Sequence, residues 1–215
     1  MHIFLMEKSF LLGSGSGSNL CFKKGRRGIP ASLKNHGHAG KWRDVRLLRE
    51  VLASQRPTVA DADALNHLAA HRDLLTMLHS NVVVTPHPAE MARLLRSSVE
   101  EVLADPIETA RESARQFGCI VLLKGATTCI SNGREVVLNT TGNPGLAKGG
   151  SGDVLTGLLL ALLAQRVLPF QAACAAAFLL GASADLAYEI LGNRMLVAGD
   201  VIDAISQEIR AERVR

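Results

Sequence analysis

Short apolar segments alternate with longer segments of helical spacing from Trp42 onward. Three of the short segments, 57–60, 81–85 and 119–123, contain β-branched residues and stop at polar or proline residues, as buried strands do. In the segments between them, apolar residues recur at the three- and four-residue spacing that places them on one face of a helix. This alternation predicts an α/β fold in which helices cover a mostly parallel central sheet.

The helical spacing predicts helices at 42–54, 64–78, 89–95, 107–117 and 170–191, and two more that begin near Ser151 and Asp200. A hairpin is predicted between 128–131 and 135–139, because Asn132-Gly133 is a favoured two-residue turn. No internal repeat is visible in the sequence. These elements predict one α/β domain over 42–215.

Residues 1–41 differ in texture from the rest of the chain. From Gly13 to Lys41 the sequence is rich in Gly, Ser, Lys and Arg and has no sustained apolar periodicity, which predicts a flexible N-terminal segment. Residues 1–43 hold eight of the 24 Lys and Arg residues but one of the 20 Asp and Glu residues. The net charge of +4 therefore belongs to this segment, and we expect no nucleic-acid partner for the domain.

Cysteine usage and hydropathy limit the environment of the protein. None of the four cysteines has C-x-x-C spacing, and three lie in apolar or alanine-rich runs, as reduced buried thiols do. We therefore expect a cytoplasmic, reducing location. The apolar stretch 154–184 is interrupted by Arg166 and Pro169, so we expect two buried helices and no membrane partner.

The clearest chemical signal is the run N-P-G-L-A-K-G-G-S-G-D-V-L-T-G at 143–157. Glycines allow backbone N–H groups to approach an anion closely, and a helix that begins near Ser151 adds N–H donors and the positive end of its dipole. Asp153 lies in the first turn of that helix. It is either a capping carboxylate or a base beside an anion hole, and its position after Gly149–Gly152 favours the base.

Two further motifs follow predicted strands, at the sheet edge where α/β proteins bind ligands. L-L-K-G-A-T-T places Lys124 before a glycine and two hydroxyl groups, which suits nucleotide phosphates but also fits a turn with a solvated lysine. T-P-H-P-A-E holds His87 between two prolines, which restrict the backbone around its ring. Both motifs become candidate binding elements because of where they lie.

The run D-A-D-A-L-N occupies another junction between a strand and a helix. Asp63 could simply cap the helix, whereas Asp61 or Asn66 could face a ligand or a Mg²⁺ ion. His67 and His71 are four residues apart but lack the H-E-x-x-H pattern, so no metal-ligand set of the protein is predicted.

In their order and spacing these four motifs resemble the ADP- or ATP-dependent NAD(P)H-hydrate dehydratases. The resemblance covers about 42–209 and includes G-A-S-A-D at 181–185 and L-V-A-G-D at 196–200. It implies a ribokinase-like three-layer α/β/α sandwich whose N-terminal strands are partly missing. It also implies repair of nicotinamide cofactors whose ring has taken up water. In that family a phosphoryl group from ADP or ATP activates the ring hydroxyl and elimination of phosphate restores NAD(P)H, so the resemblance also implies ADP or ATP and Mg²⁺ as cofactors.

The resemblance also implies roles for individual residues. Asp153 would deprotonate the ring hydroxyl, and we expect the chain to form a homo-oligomer. The implied nucleotide-binding residues are Lys124, Gly125, Ala126, Thr127, Thr128, Gly149, Gly150, Ser151 and Gly152. The implied contacts with NADH hydrate or NADPH hydrate are His87, Asn143, Asp63, Asn66 and Gly15, together with Asp153.

Two features depart from the pattern of that family. The run 11–17 has alternating glycines but lacks the prolines of the family's cofactor loop. We therefore expect the cofactor side of the cleft to be impaired more than the nucleotide side, with measurable ADP binding and weak or absent dehydratase activity. Lys148 replaces the small or hydroxyl residue that usually precedes the two glycines. Two alternatives stay open, a vitamin-precursor kinase of the same superfamily and a catalytically inactive nucleotide-binding fragment. T-P-H-P-A-E and D-A-D-A-L-N argue against the kinase.

Overall fold

The computed structural model describes residues 2–5, 39–192 and 196–212, with side chains from 45 onward to 209. Gly15 and the glycine run around it lie outside the described residues. The strands are β1 (His2–Leu5), β2 (Thr58–Asp61), β3 (Val82–Val84), β4 (Ile120–Leu123), β5 (Thr128–Ser131) and β6 (Val136–Asn139). The helices are α1 (Ala39–Ala53), α2 (Asp63–Ala70), α3 (Pro88–Leu95), α4 (Val99–Ala104), α5 (Pro106–Phe117), α6 (Ser151–Ala164), α7 (Pro169–Leu191) and α8 (Ala198–Glu212).

The described strands form one sheet in the order β1-β2-β3-β4-β5-β6. The pairs β2–β3 and β3–β4 are parallel, whereas β1, β5 and β6 each pair antiparallel with their neighbours. Parallel strands need a long crossover, and helices supply it between β2, β3 and β4, while a tight hairpin such as β5–β6 can only be antiparallel. The sheet is therefore mixed, and the parallel pairing that the sequence predicts is confined to its central three strands.

Successive strand residues face opposite helical layers, as the pleat requires. Val59, Val83 and Leu122 pack in one apolar cluster with α6, α7 and α8. Their neighbours Ala60 and Val121 pack in a second cluster with α1 to α5. Both faces of the central strands are thus buried, and the arrangement is the three-layer α/β/α sandwich.

Two helical segments differ from the sequence prediction. The helix predicted over 64–78 ends at Ala70, and a separate 3₁₀ helix follows at Arg72–Met77, because His71 between them leaves the helical conformation (φ −118°, ψ 83°). Helix α4 was not predicted, because Val102 is its one buried residue and a single buried position makes no helical stripe. Ser98 begins α4 with a capping box, in which its Oγ accepts from the backbone N–H of Glu101 at 3.1 Å.

Two described elements, β1 and the start of α1, lie within the predicted N-terminal segment 1–41. Residues 2–5 pair antiparallel with β2, with His2 opposite Asp61, and form an edge strand of the sheet. The predicted division of the chain at residue 41 stays a prediction. Helix α1 begins at Ala39. The rest of the predicted flexible segment, 6–38, lies outside the described residues.

Helix α7 alone, among the described residues, has the length and apolar composition that a membrane span needs. Its alanine-rich face is buried against the sheet in the same cluster as α6 and α8. The predicted pair of helices on either side of Pro169 is confirmed, because α6 ends at Ala164 and α7 begins at Pro169.

Candidate active site

The predicted site residues lie where three parallel strands end. Asp61 is the last residue of β2, and Lys124 directly follows β4. Backbone hydrogen bonds continue the sheet past the strands, from Thr85 N–H to the Ala60 carbonyl (3.1 Å) and from Lys124 N–H to the Pro86 carbonyl (2.8 Å). These bonds bring the D-A-D-A-L-N, T-P-H-P-A-E and K-G-A-T-T motifs to one edge of the sheet.

The first turn of α6 lies against the end of β2. A Cβ added to Gly152 would come within 3.3 Å of Asp61 Oδ2, so a larger residue would crowd that carboxylate. The glycine run is therefore adjacent to the strand ends, as the sequence predicts. The structure brings the glycine loop, Asp61 and Lys124 into one site.

Lys124 lies between two buried carboxylates. Its Nζ is 3.0 Å from Asp61 Oδ1 and 3.8 Å from Glu90 Oε2. The side chains of Asp61 and Glu90 are each 9% exposed, and that of Lys124 is 26% exposed. Burial of a charge is unfavourable unless the charge is paired, so the lysine compensates both carboxylates. The sequence analysis gave no role to Glu90, since nothing in its spacing indicates a partner 34 residues further along the chain.

His87 is the N-cap of α3. Its Nδ1 accepts from the backbone N–H groups of Ala89 (3.1 Å) and Glu90 (3.3 Å), so the neutral ring carries its proton on Nε2. Nε2 lies 3.4 Å from Glu90 Oε1, and His87 N–H donates to Glu90 Oε2 at 2.9 Å. The side chain is still 47% exposed, so the ring is held in one orientation while part of it faces solvent.

The N terminus of α6 offers backbone donors. Gly150 is the N-cap with a φ of +100°, and no side chain caps the helix there. The first N–H groups of a helix have no partner within the helix and are available to an anion. Asp153 is exposed in the same turn, beside these donors. The structure thus places the candidate base and the candidate anion hole together.

The loop before α6 is braced by contacts that the sequence does not indicate. Asn143 Oδ1 accepts from Gly145 N–H (2.9 Å), and its Nδ2 donates to Asp185 Oδ1 (2.9 Å). Asp185 Oδ2 also accepts from Gly142 N–H (2.8 Å). Lys148 Nζ donates to the Leu196 carbonyl (2.8 Å), so this unusual residue ties the loop to the segment before α8. Asn143 therefore has a structural contact, and its predicted contact with substrate stays a prediction.

The remaining predicted residues are exposed or half-buried. Asp63 and Asn66 lie on the outer part of α2, whose N-cap is Ala62 with no side-chain hydrogen bond, so the expected Asp63 cap is wrong. The turn at 125–127 between β4 and β5 is exposed, and Thr128 is half-buried. Within the part of the chain that the structure describes, no group of three or more His, Cys, Asp or Glu side chains could hold a metal ion.

The fold and the site together define a class of protein. A glycine loop at a helix N terminus, placed at the carboxyl ends of parallel strands, is typical of α/β proteins that bind phosphate groups of nucleotides. An exposed carboxylate beside those donors is the group that a phosphoryl-transfer enzyme uses to orient or deprotonate a nucleophile. The arrangement is therefore typical of nucleotide-dependent α/β enzymes.

Comparisons with known proteins identify the family. The NAD(P)H-hydrate dehydratase family model matches residues 28–207, and the chain belongs to that family. The chain is 45% identical over 168 residues to the bifunctional NAD(P)H-hydrate repair enzyme Nnr of Moorella thermoacetica. The alignment covers 77% of this chain and 32% of that protein. The chain is also 44% identical over 155 residues to the ADP-dependent (S)-NAD(P)H-hydrate dehydratase of Neisseria meningitidis. That alignment covers 70% of this chain and 52% of that protein.

Solved structures agree with this family. The Bacillus subtilis ADP/ATP-dependent NAD(P)H-hydrate dehydratase, co-crystallised with ATP/Mg²⁺, has a TM-score of 0.63 and 32% identity, and covers 71% of this chain and 54% of that one. The ribokinase-like fold that the sequence resemblance implies is confirmed. The chain spans about a third to a half of the length of the two curated relatives.

Proposed function

We propose that the chain catalyses the ADP- or ATP-dependent dehydration of hydrated NAD(P)H, a repair reaction of nicotinamide cofactors. The observation that carries the proposal is Asp153, an exposed carboxylate in the first turn of α6, beside an N-cap glycine that has no side-chain cap. The family match and the activity named for the Neisseria relative support the same reaction.

Backbone groups bind the transferred phosphoryl group. The N–H donors of 149–152 surround the position of its oxygens, and the backbone and hydroxyl groups of 125–128 hold the other phosphates. Donors at a helix N terminus point at the anion before the reaction begins, so they stabilise developing negative charge without reorganising. The positive φ of Gly150 is what allows the chain to turn into α6 at this point.

Asp153 accepts the proton of the hydroxyl group that hydration adds to the nicotinamide ring. The deprotonated oxygen attacks the terminal phosphoryl group of ADP, and the bond between that group and AMP breaks. The ring then loses the oxygen as inorganic phosphate while a proton leaves the neighbouring ring carbon. NAD(P)H, AMP and phosphate are the products, and the elements of water leave with the phosphate and the proton.

His87 orients the damaged cofactor. Because its Nδ1 accepts two backbone N–H groups and its Nε2 faces Glu90, the ring is held in one orientation, and its partly exposed side contacts the cofactor. Mg²⁺ would be carried mainly by the nucleotide phosphates, because it prefers oxygen ligands and often binds through substrate phosphates. The ion would neutralise phosphate charge. A homo-oligomer and a cytoplasmic location stay predictions from the sequence.

A direct assay tests this function. Purified protein is incubated with hydrated NADH and ADP, and the return of NADH absorbance is followed. We expect recovery that needs both protein and nucleotide. A lasting phosphorylated product from a thiazole or pyrimidine alcohol, without recovery of NADH, would indicate the vitamin-precursor kinase. Binding of ADP without either product would indicate an inactive nucleotide-binding domain.

A further inference from the structure

The side chain of Lys124 pairs with two carboxylates of the protein itself. Its Nζ is 3.0 Å from Asp61 Oδ1 and 3.8 Å from Glu90 Oε2, and these two carboxylates are nearly buried. A lysine that binds phosphate must aim its ammonium group at the ligand. Here the ammonium group compensates two negative charges that burial would otherwise make costly.

The two carboxylates contact different parts of the site, the first turn of α6 and His87. Asp61 Oδ2 lies beside Gly152, whose added Cβ would approach it to 3.3 Å, so Asp61 defines where the first turn of α6 can lie. Glu90 receives the backbone N–H of His87 at 2.9 Å and faces His87 Nε2 at 3.4 Å. Lys124 joins both carboxylates, and its backbone N–H is bonded to Pro86, the residue before His87.

We propose that Asp61, Glu90 and Lys124 act as one positioning unit, which holds His87 and the first turn of α6 in fixed relative positions. Lys124 serves this unit rather than the nucleotide phosphates, which the donors of 125–128 and 149–152 bind. The sequence alone assigned the Lys124 ammonium group to phosphate. The inference rests on the proposed function only for the identity of the nucleotide.

A cycle of variants tests the unit through stability. We compare Lys124→Met in the parent protein with Lys124→Met in the Asp61→Asn/Glu90→Gln background, by thermal unfolding. The parent should lose stability strongly, because the substitution leaves two buried carboxylates without a counter-charge. The neutral background should lose little or nothing. Glu100→Gln, an exposed glutamate of α4, is the matched control. Equal losses in both backgrounds would overturn the proposal.

Nucleotide affinity separates positioning from phosphate binding. Calorimetry with ADP measures the Kd of the Asp61→Asn/Glu90→Gln protein with and without Lys124→Met. Loss of a charge-assisted hydrogen bond to phosphate would weaken ADP binding roughly 10- to 100-fold. We expect a change well below that range, and a loss within it would contradict the proposal. If the parent does not bind ADP, the proposed function fails, while the stability cycle still decides whether the unit exists.

The position of His87 supplies a third readout. The NMR signals of its ring nitrogens report which nitrogen carries the proton and which accepts. We expect Lys124→Met to change these signals, Lys124→Arg to preserve them because it keeps the charge, and Glu100→Gln to leave them unaltered. Unchanged His87 signals in Lys124→Met would show that the lysine does not position this residue.

Discussion

The two halves of the site are built in different ways. At the N terminus of α6 the groups are backbone donors and an exposed carboxylate, arranged by the local conformation around Gly150. At the strand ends they are buried charged side chains, Asp61, Glu90 and Lys124, which the sheet brings together from distant parts of the chain. The first half suits direct contact with a reacting phosphoryl group, whereas the second is too enclosed for that and suits positioning.

The largest effect is expected at the exposed carboxylate. Asp153→Asn removes the proposed base but keeps the size of the side chain, so turnover should fall on the order of 10²- to 10⁴-fold. ADP binding should change little, because backbone groups hold the phosphates. Initial rates and ADP calorimetry measure the two quantities. Asp203→Asn, an exposed residue of α8, is the control, and near-normal turnover in Asp153→Asn would refute the assignment.

Two adjacent glycines test whether local conformation builds the α6 half. A Cβ at Gly150 would meet Ala198 Cβ at 3.1 Å, and its φ of +100° is strained for any other residue. A Cβ at Gly149 would meet nothing within 4 Å. Gly150→Ala should therefore destabilise the protein by about 1–3 kcal/mol, and Gly149→Ala by clearly less. Denaturant unfolding compares them, and equal losses would mean that Gly150 is not required by its conformation.

A pH-dependent effect concerns Cys119, the buried residue directly before β4. Burial raises the pKa of the Cys119 thiol to about 12, from an ordinary value of 9.0. Above pH 9 the thiol ionises in the unfolded chain before it ionises in the folded one, so stability should fall as the pH rises from 9 toward 12. The parent should lose more stability over this range than Cys119→Ala does. Parallel curves for the two proteins would contradict the expected thiol contribution.

The same comparison explains what the sequence could predict. The glycine run and Asp153 were recognisable because a close backbone approach to an anion requires those residue types at that spacing. The strand ends were predicted from short apolar runs that stop at polar or proline residues. The motifs that follow these strands do meet at one edge of the sheet. The role of Glu90 depends on Lys124, which follows a different strand, and local spacing holds no signal for such a pair.

Two other features were beyond local patterns. The capping position before α2 is Ala62 and not Asp63, because the chain turns at Ala62 with a φ of +52°. The anchoring of Asn143 by Asp185 depends on how α7 packs beside the glycine loop. In both cases the tertiary arrangement decides which polar side chain contacts what.

One measurement tests the central claim that this site couples phosphoryl transfer to dehydration. Hydrated NADH is incubated with the protein and ADP, and NADH and inorganic phosphate are quantified in the same sample over time. The account predicts that the two rise together in equal amounts, and that ADP alone releases no phosphate. NADH recovery without phosphate, or phosphate release without NADH, would contradict it.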